Sequence, residues 1–185
     1  MIYRIAAIIL LFAIVLFISL KVSKTEARQT KENPYNGLRN MALSTTASML
    51  KLSLPKDKLT VYGVVMDWGM EQGTATIVAY QTGDASLYLN PGGGIIGGIS
   101  HNNVSKAAKQ FVSVAQQYVN KAMKTATHPL PKTDNVNFYL LTNQGIYVGH
   151  ETIKNFENNS SQWLPLFEAG NELITELRKT NQSKE

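Results

Sequence analysis

Three closely spaced runs of strand-forming residues constrain the fold of this chain more than any other feature. The runs are LTVYGVVMDW at 59–68, TATIVAYQT at 74–82 and ASLYLN at 85–90, with GMEQG and GD between them. They are rich in β-branched and aromatic residues, whereas the separators carry residues typical of turns. Because separators this short favour hairpins, the sequence predicts an antiparallel meander of three strands.

Apolar residues at helical spacing predict three helices around these strands. The first is predicted over 37–54, before Pro55, and the last begins near Trp163, with Pro165 in its first turn. The clearest helix lies between them, where apolar residues alternate at intervals of four and three: Val104, Ala108, Phe111, Ala115, Tyr118 and Ala122.

Two further strands, NVNFYLLT and GIYVGHE, are predicted across a turn at 143–145, between the second helix and the last. The order of elements is therefore α-β-β-β-α-β-β-α. This order predicts an α+β domain with a mainly antiparallel sheet of about five strands flanked by helices.

An apolar run near the N-terminus predicts a membrane anchor. IAAIILLFAIVLFISL at 5–20 is uncharged, and as a helix it spans about 24 Å, which residues 2, 3 and 22 and the flanking Arg4 and Lys21 extend towards the roughly 30 Å of a bilayer core. We expect a single-pass transmembrane anchor over 1–22, contacting lipid through residues 2–22, and a polar tether over 23–36. After the tether, we expect a single globular domain over 37–180 and a polar tail over 181–185. The alternative is a signal peptide that is cut after Ala27.

The charges of the chain lie mostly beside this run. The formal net charge of the whole chain is +5, and residues 1–32 hold five basic and two acidic side chains. The domain that follows is therefore close to neutral. A nucleic-acid partner, which requires a clustered basic surface, is therefore not expected. More Lys and Arg follow the apolar run than precede it, which favours a cytoplasmic domain over an exported one. With no cysteine in the chain, disulfides and thiolate metal sites are excluded.

A glycine-rich segment, NPGGGIIGGISHNN at 90–103, offers the one candidate ligand site. The spacing Gly92-x-Gly94-x-x-Gly97 matches the dinucleotide fingerprint, in which glycines let backbone N–H groups approach a phosphate at a helix N-terminus. The preceding strand is third in a meander, however, and Gly98 stands where the lysine of a phosphate-binding loop belongs. The favoured interpretation is that the glycines only turn the chain from the sheet into the helix. The alternative is a binding site for a small anion or a nucleotide, which could belong to an enzyme. This site would be formed by Gly92, Gly93, Gly94, Gly97, Gly98 and His101.

Two groups of residues are candidates for an interaction surface. Ile95 and Ile96 are expected to be buried under the long helix, or else to contact a second copy or another protein. Glu168, Glu172 and Glu176 recur every four residues on the last helix, which is typical of a solvated face and otherwise fits a basic partner.

Other polar residues give weaker signals. Asp67 and Glu71 flank a predicted hairpin turn and are expected to be surface groups rather than a catalytic pair. His101, His128 and His150 lack the spacing of metal ligands within one element. No cofactor, metal or catalytic residue is therefore predicted.

The order of elements looks like that of the roadblock and profilin-like group, which usually serve as scaffolding and dimerisation modules. The segments at 63–98, 137–151 and 164–178 also resemble a family of uncharacterised bacterial proteins, and this likeness covers most of 62–178. It implies a bacterial origin and carries no activity or ligand; the apolar run at 5–20 is a departure from that family. The chain is therefore expected to act by binding or assembly rather than by catalysis.

Overall fold

One seven-stranded antiparallel sheet organises the part of the chain that the computed structural model describes, residues 34–90 and 92–182. Its strands are β1 (Val61–Met70), β2 (Gly73–Tyr80), β3 (Ala85–Leu89), β4 (Gly94–Ile96), β5 (Met123–Thr125), β6 (Asn135–Thr142) and β7 (Gly145–Thr152). Their spatial order is β4-β3-β2-β1-β6-β7-β5, and every neighbouring pair is antiparallel. The predicted meander therefore forms one half of the sheet.

Among the described residues, four helices cover the two faces of this sheet. They are α1 (Pro34–Ser44), α2 (Asn102–Tyr118), α3 (Ile153–Glu157) and α4 (Leu164–Gln182), and short 3₁₀ turns occupy Gly98–Ser100 and Val119–Lys121. Helices α2 and α4 bury Phe111 and Leu173 in a core that includes Met66 of β1. On the opposite face, α1 buries Tyr35 against Val65 of β1. Because successive side chains of a strand point to opposite faces, β1 is buried on both sides, which explains its nearly continuous apolar sequence.

The α+β class and the antiparallel sheet flanked by helices are as predicted, but the sheet has seven strands rather than about five. The two additional strands, β4 and β5, have three residues each; β4 lies in the glycine-rich segment, and β5 directly follows the helix predicted up to Ala122. Strands this short, among glycines, prolines and lysines, carry no periodic pattern that a sequence could reveal.

The first helix ends earlier than predicted, at Ser44 rather than near residue 54. The hydroxyl groups of Ser44 and Thr45 donate hydrogen bonds to the carbonyl oxygen of Met41, at 3.1 and 2.9 Å, and the chain then turns over 47–51. Hydroxyl groups that bond the backbone locally compete with helix continuation, so the Ser-Thr-Thr sequence ends α1. It begins at Pro34, so residues 34–36 are helical and do not belong to the predicted tether.

The predicted anchor at 1–22, residues 23–33 of the tether and the last three residues of the chain lie outside the described residues. Within 34–90 and 92–182, no helix is both long enough and apolar enough to cross a membrane.

Candidate functional site

The glycine-rich segment folds as a hairpin rather than as a loop into α2. The N–H of Leu89 donates to the carbonyl oxygen of Gly93 at 3.0 Å, and β4 then pairs with β3 in the register Leu87↔Ile95. The rest of β4 and a 3₁₀ turn therefore lie between Gly92–Gly94 and the N-terminus of α2. This differs from the dinucleotide fingerprint, in which the glycines lead directly into the helix.

Three of the glycines meet requirements of folding. A Cβ at Gly94 would contact the carbonyl oxygen of Leu87, and one at Gly98 would contact the side chain of Val104. Gly97 has a φ of 81°, in the left-handed region that glycine adopts without strain. These three glycines thus have a structural reason that is independent of any ligand.

His101 lies at a cavity of about 370 Å³ beside the N-terminus of α2. The cavity is lined by Ser100, His101, Asn102, Asn103, Val104, Glu176, Lys179 and Thr180. Glu176 is 8% exposed, and its Oε1 lies 2.5 Å from the Nζ of Lys179, a hydrogen bond that raises the pKa of the lysine. Because Glu176 already pairs with Lys179 in this wall, the positive charge of the lysine is balanced by a carboxylate, which weakens its attraction for a bound anion.

The three glutamates that recur every four residues on α4 differ in exposure. Glu168 and Glu172 are exposed, whereas Glu176 is buried at the α2–α4 cavity. The three carboxylates therefore do not form one continuous solvated surface.

Ile95 and Ile96 have different environments, although burial was expected for both. Ile95 is half-buried and packs against the core on the α2–α4 face, whereas Ile96 is 66% exposed. Consecutive residues of a strand point to opposite faces, which separates the two side chains. Ile99, in the following 3₁₀ turn, is 49% exposed, so two large apolar side chains lie in water near one end of the sheet.

The peptide groups of β4 complete this surface. In an antiparallel pair, residues alternate between those bonded to the partner strand and those facing away from it. Since Gly93 bonds to Leu89, the residues facing away from β3 are Gly94 and Ile96. We name the outward peptide groups of Gly94 and Ile96, with the side chains of Ile96 and Ile99, the β4 edge.

The strand that forms the β4 edge carries no charged residue. From 85 to 100 the sequence contains no acidic or basic residue. Exposed strand edges are usually protected by lysine, by inward charges or by cover from another element. At the opposite end of the sheet, β5 does carry a lysine, Lys124. The β4 edge is the end of the sheet better suited to accept another strand.

A buried polar network on the other face of the sheet was not predicted. Asp67 is fully buried in β1, and its Oδ2 accepts hydrogen bonds from Nε and Nη2 of Arg39 at 2.9 and 2.6 Å. The Oγ1 of Thr76 donates to Oδ1 of Asp67 at 2.5 Å and lies 2.7 Å from the hydroxyl oxygen of Tyr35. Burial raises the pKa of Asp67, and the donors from Arg39 and Thr76 act against this by stabilising the carboxylate.

This network corrects the expectation that Asp67 is a surface group of a hairpin turn. Glu71 occupies the turn and is exposed, whereas Asp67 pairs across the sheet with Asn137 and Thr76. With Asp67 at 0% and Arg39 at 6% exposure, no substrate reaches the pair. The network therefore fixes α1 on the sheet and is not a reaction centre.

His128 borders the network without joining it. Its backbone oxygen accepts a hydrogen bond from Nη2 of Arg39 at 2.9 Å, and its ring meets Tyr139 edge to face at 5.5 Å. Among the described residues, its buried Nε2 has no hydrogen-bond partner, and burial, together with the charge of Arg39, lowers the pKa of the ring. Over the same residues, no group of three or more potential ligands could hold a metal ion.

Comparisons with protein-family models, with curated proteins and with solved structures find no match to this chain.

Proposed function

We propose that this chain is a bacterial, non-catalytic assembly module, anchored in a membrane through residues 2–22, that binds a protein partner through the β4 edge. The observation that supports the proposal is the combination of outward peptide groups with Ile96 exposed at 66%, in a stretch of sequence, 85–100, that carries no charged residue. Addition of a strand to a sheet edge is a common mode of protein recognition, because main-chain hydrogen bonds supply affinity and neighbouring side chains supply specificity.

A three-residue strand offers few hydrogen bonds, so we expect the contact to be weak for molecules free in solution. Membrane anchoring compensates for this, since confinement raises the effective concentration of partners without any new contact. The charge distribution beside the apolar run favours the cytoplasmic side for the domain.

The alternative function, binding of a small anion or a nucleotide near His101, has less support. The cavity there contains the buried carboxylate of Glu176, and the glycines are held in a hairpin and in close packing contacts.

Site-specific photocrosslinking in living cells tests the proposal. A photoreactive phenylalanine analogue replaces Ile96 in the full-length chain, and in a matched control it replaces Met123, which is 65% exposed on the strand at the opposite end of the sheet. We expect a discrete protein adduct from position 96 and none from position 123. Absence of an adduct at position 96, or equal adducts at both positions, would contradict assembly through the β4 edge.

A further inference from the structure

We infer that the partner at the β4 edge is a second copy of this chain, with the two β4 strands antiparallel about a two-fold axis at Ile95; this inference rests on the proposed assembly function. The outward residues of β4 are Gly94 and Ile96, which lie symmetrically on either side of Ile95. A strand with this symmetry is complementary to itself, as a closed two-fold interface requires.

The register about Ile95 satisfies every outward peptide group of both strands. With Ile95 opposite the partner's Ile95, Gly94 lies opposite the partner's Ile96, and each such pair exchanges two hydrogen bonds. An axis at Ile96 instead would place Gly94 opposite the partner's Gly98, which belongs to a 3₁₀ turn and not to a strand. That register would leave the peptide groups of Gly94 without strand partners.

Side-chain volume favours the same register. Gly94 and Ile96 are two residues apart in one strand, so they share a face of the sheet. In the proposed pairing, the exposed side chain of Ile96 lies beside the partner's Gly94, which has no Cβ. Because a Cβ at Gly94 would contact the backbone of β3, this glycine is retained by the hairpin itself and leaves space beside it for the isoleucine.

Electrostatics distinguishes the two ends of the sheet. Two identical copies repel each other wherever a charged residue would face itself. The sequence from 85 to 100 carries no charge, so no charged residue of β4 would face itself in a pair of β4 strands. The equivalent pairing of β5 about its central residue would set Lys124 against the partner's Lys124, and like charges directly opposite each other destabilise a strand pair. Self-pairing is therefore expected at β4 and not at β5.

Cysteine crosslinking tests the register. The natural chain has no cysteine, so any disulfide joins introduced residues. Opposed Ile95 residues would form a pair without mutual hydrogen bonds, with Cα atoms about 4.5 Å apart, inside the range of disulfides. The two Ile96 residues would be diagonal neighbours about 7–8 Å apart, outside that range. We expect mild oxidation of the full-length chain in membranes to yield a dimer of twice the chain mass from Ile95→Cys and monomer from Ile96→Cys.

A second pair of variants keeps the test decisive if Ile95→Cys does not fold. Ile96→Pro removes an outward N–H that β3 does not use, whereas Ile96→Val keeps that N–H and the β-branched side chain. In sedimentation of the full-length chain in a mild detergent at increasing concentration, we expect dimers for the natural chain and for Ile96→Val, and monomers for Ile96→Pro.

The outcomes separate this inference from the proposed function. A photo-adduct at position 96 with a mass other than twice the chain, together with monomeric Ile95→Cys, would overturn the second copy and leave the assembly function standing. Disulfides of equal yield from both cysteine variants would overturn the register. Absence of the adduct at position 96, of the disulfide and of the sedimenting dimer would overturn both proposals.

Discussion

Replacement of Arg39 by methionine is expected to destabilise the domain more than any surface substitution. The guanidinium group makes two hydrogen bonds to Asp67 and one to the carbonyl oxygen of His128. Methionine is also long and unbranched and carries no charge, so it occupies much of the volume without the interaction. Asp67, which is 0% exposed, would keep the single hydroxyl donor of Thr76.

The magnitude follows from this burial. Removing one partner of a buried ion pair costs about 3–5 kcal/mol, because the other charge stays in the interior without compensation. That is a large share of the roughly 5–15 kcal/mol by which domains are stable. The double variant combines Arg39→Met with Asp67→Asn, so neither member of the ion pair remains charged. The buried amide of the new asparagine is left partly unsatisfied, which costs about 1–3 kcal/mol. The double variant is thus expected to be more stable than Arg39→Met alone.

The pH dependence sharpens this prediction. Burial already raises the pKa of Asp67, and loss of Arg39 removes the strongest opposing influence, so the pKa rises further. Protonation then neutralises the buried carboxyl at a higher pH than in the natural chain. The stability deficit of Arg39→Met should therefore shrink as the pH falls and grow as the pH rises through the raised pKa of Asp67.

Urea unfolding of the full-length variants, followed by circular dichroism, measures these differences. The matched control is Arg178→Met, the same substitution at an exposed arginine of α4, and we expect a much smaller loss of stability there. Strict additivity of Arg39→Met and Asp67→Asn in the double variant would refute the reasoning, since it would mean that the two charges do not interact in the folded state.

Three further predictions concern the remaining parts of the fold. Burial raises the pKa of Tyr80 to about 12, so its contribution to stability is complete below its unfolded pKa of about 10 and is lost as the pH rises towards 12. Tyrosinate absorbance should then rise together with loss of structure, and gradual ionisation of an intact fold would contradict this. Gly149→Ala should lower stability by about 1–3 kcal/mol, because its Cβ would contact the ring of Trp163, whereas Gly92→Ala points into open space and should change the thermal midpoint little. Phosphate and ATP should leave that midpoint unchanged because Lys179 in the cavity at His101 is already paired with Glu176, and a saturable rise would favour the anion-binding alternative.

The long-range partners in this fold could not be derived from the sequence. The meander was predictable because alternation and turn residues are local signals, and α2 was predictable because its apolar stripe extends over several turns. Asp67 carried a signal of its own, since a lone carboxylate inside a nearly continuous apolar strand requires a partner. The identity of that partner was not visible, because Arg39 lies 28 residues earlier, on a helix where an arginine resembles any solvated charge.

The candidate site shows the same division between local and long-range information. The glycines at 92–98 indicated a change of direction, but a three-residue strand has no readable period, so the edge position of β4 and the opposite environments of Ile95 and Ile96 emerged only in the structure. The burial of Glu176 likewise depends on the contact between α2 and α4, which a charge pattern along one helix does not reveal.

The central position of β1 has a consequence for synthesis of the chain. Strand β2 follows β1 immediately, but Val65 also pairs with Tyr139, and the roughly 70 residues between them take about 4–15 s to synthesise at about 5–20 residues per second. Throughout that interval one edge of a strongly apolar strand lacks its native neighbour. A charge within such a strand hinders pairing with the wrong chain. We therefore expect the carboxylate of Asp67, before β6 is made, to protect the nascent protein from aggregation, and Asp67→Asn to raise the insoluble fraction during rapid expression.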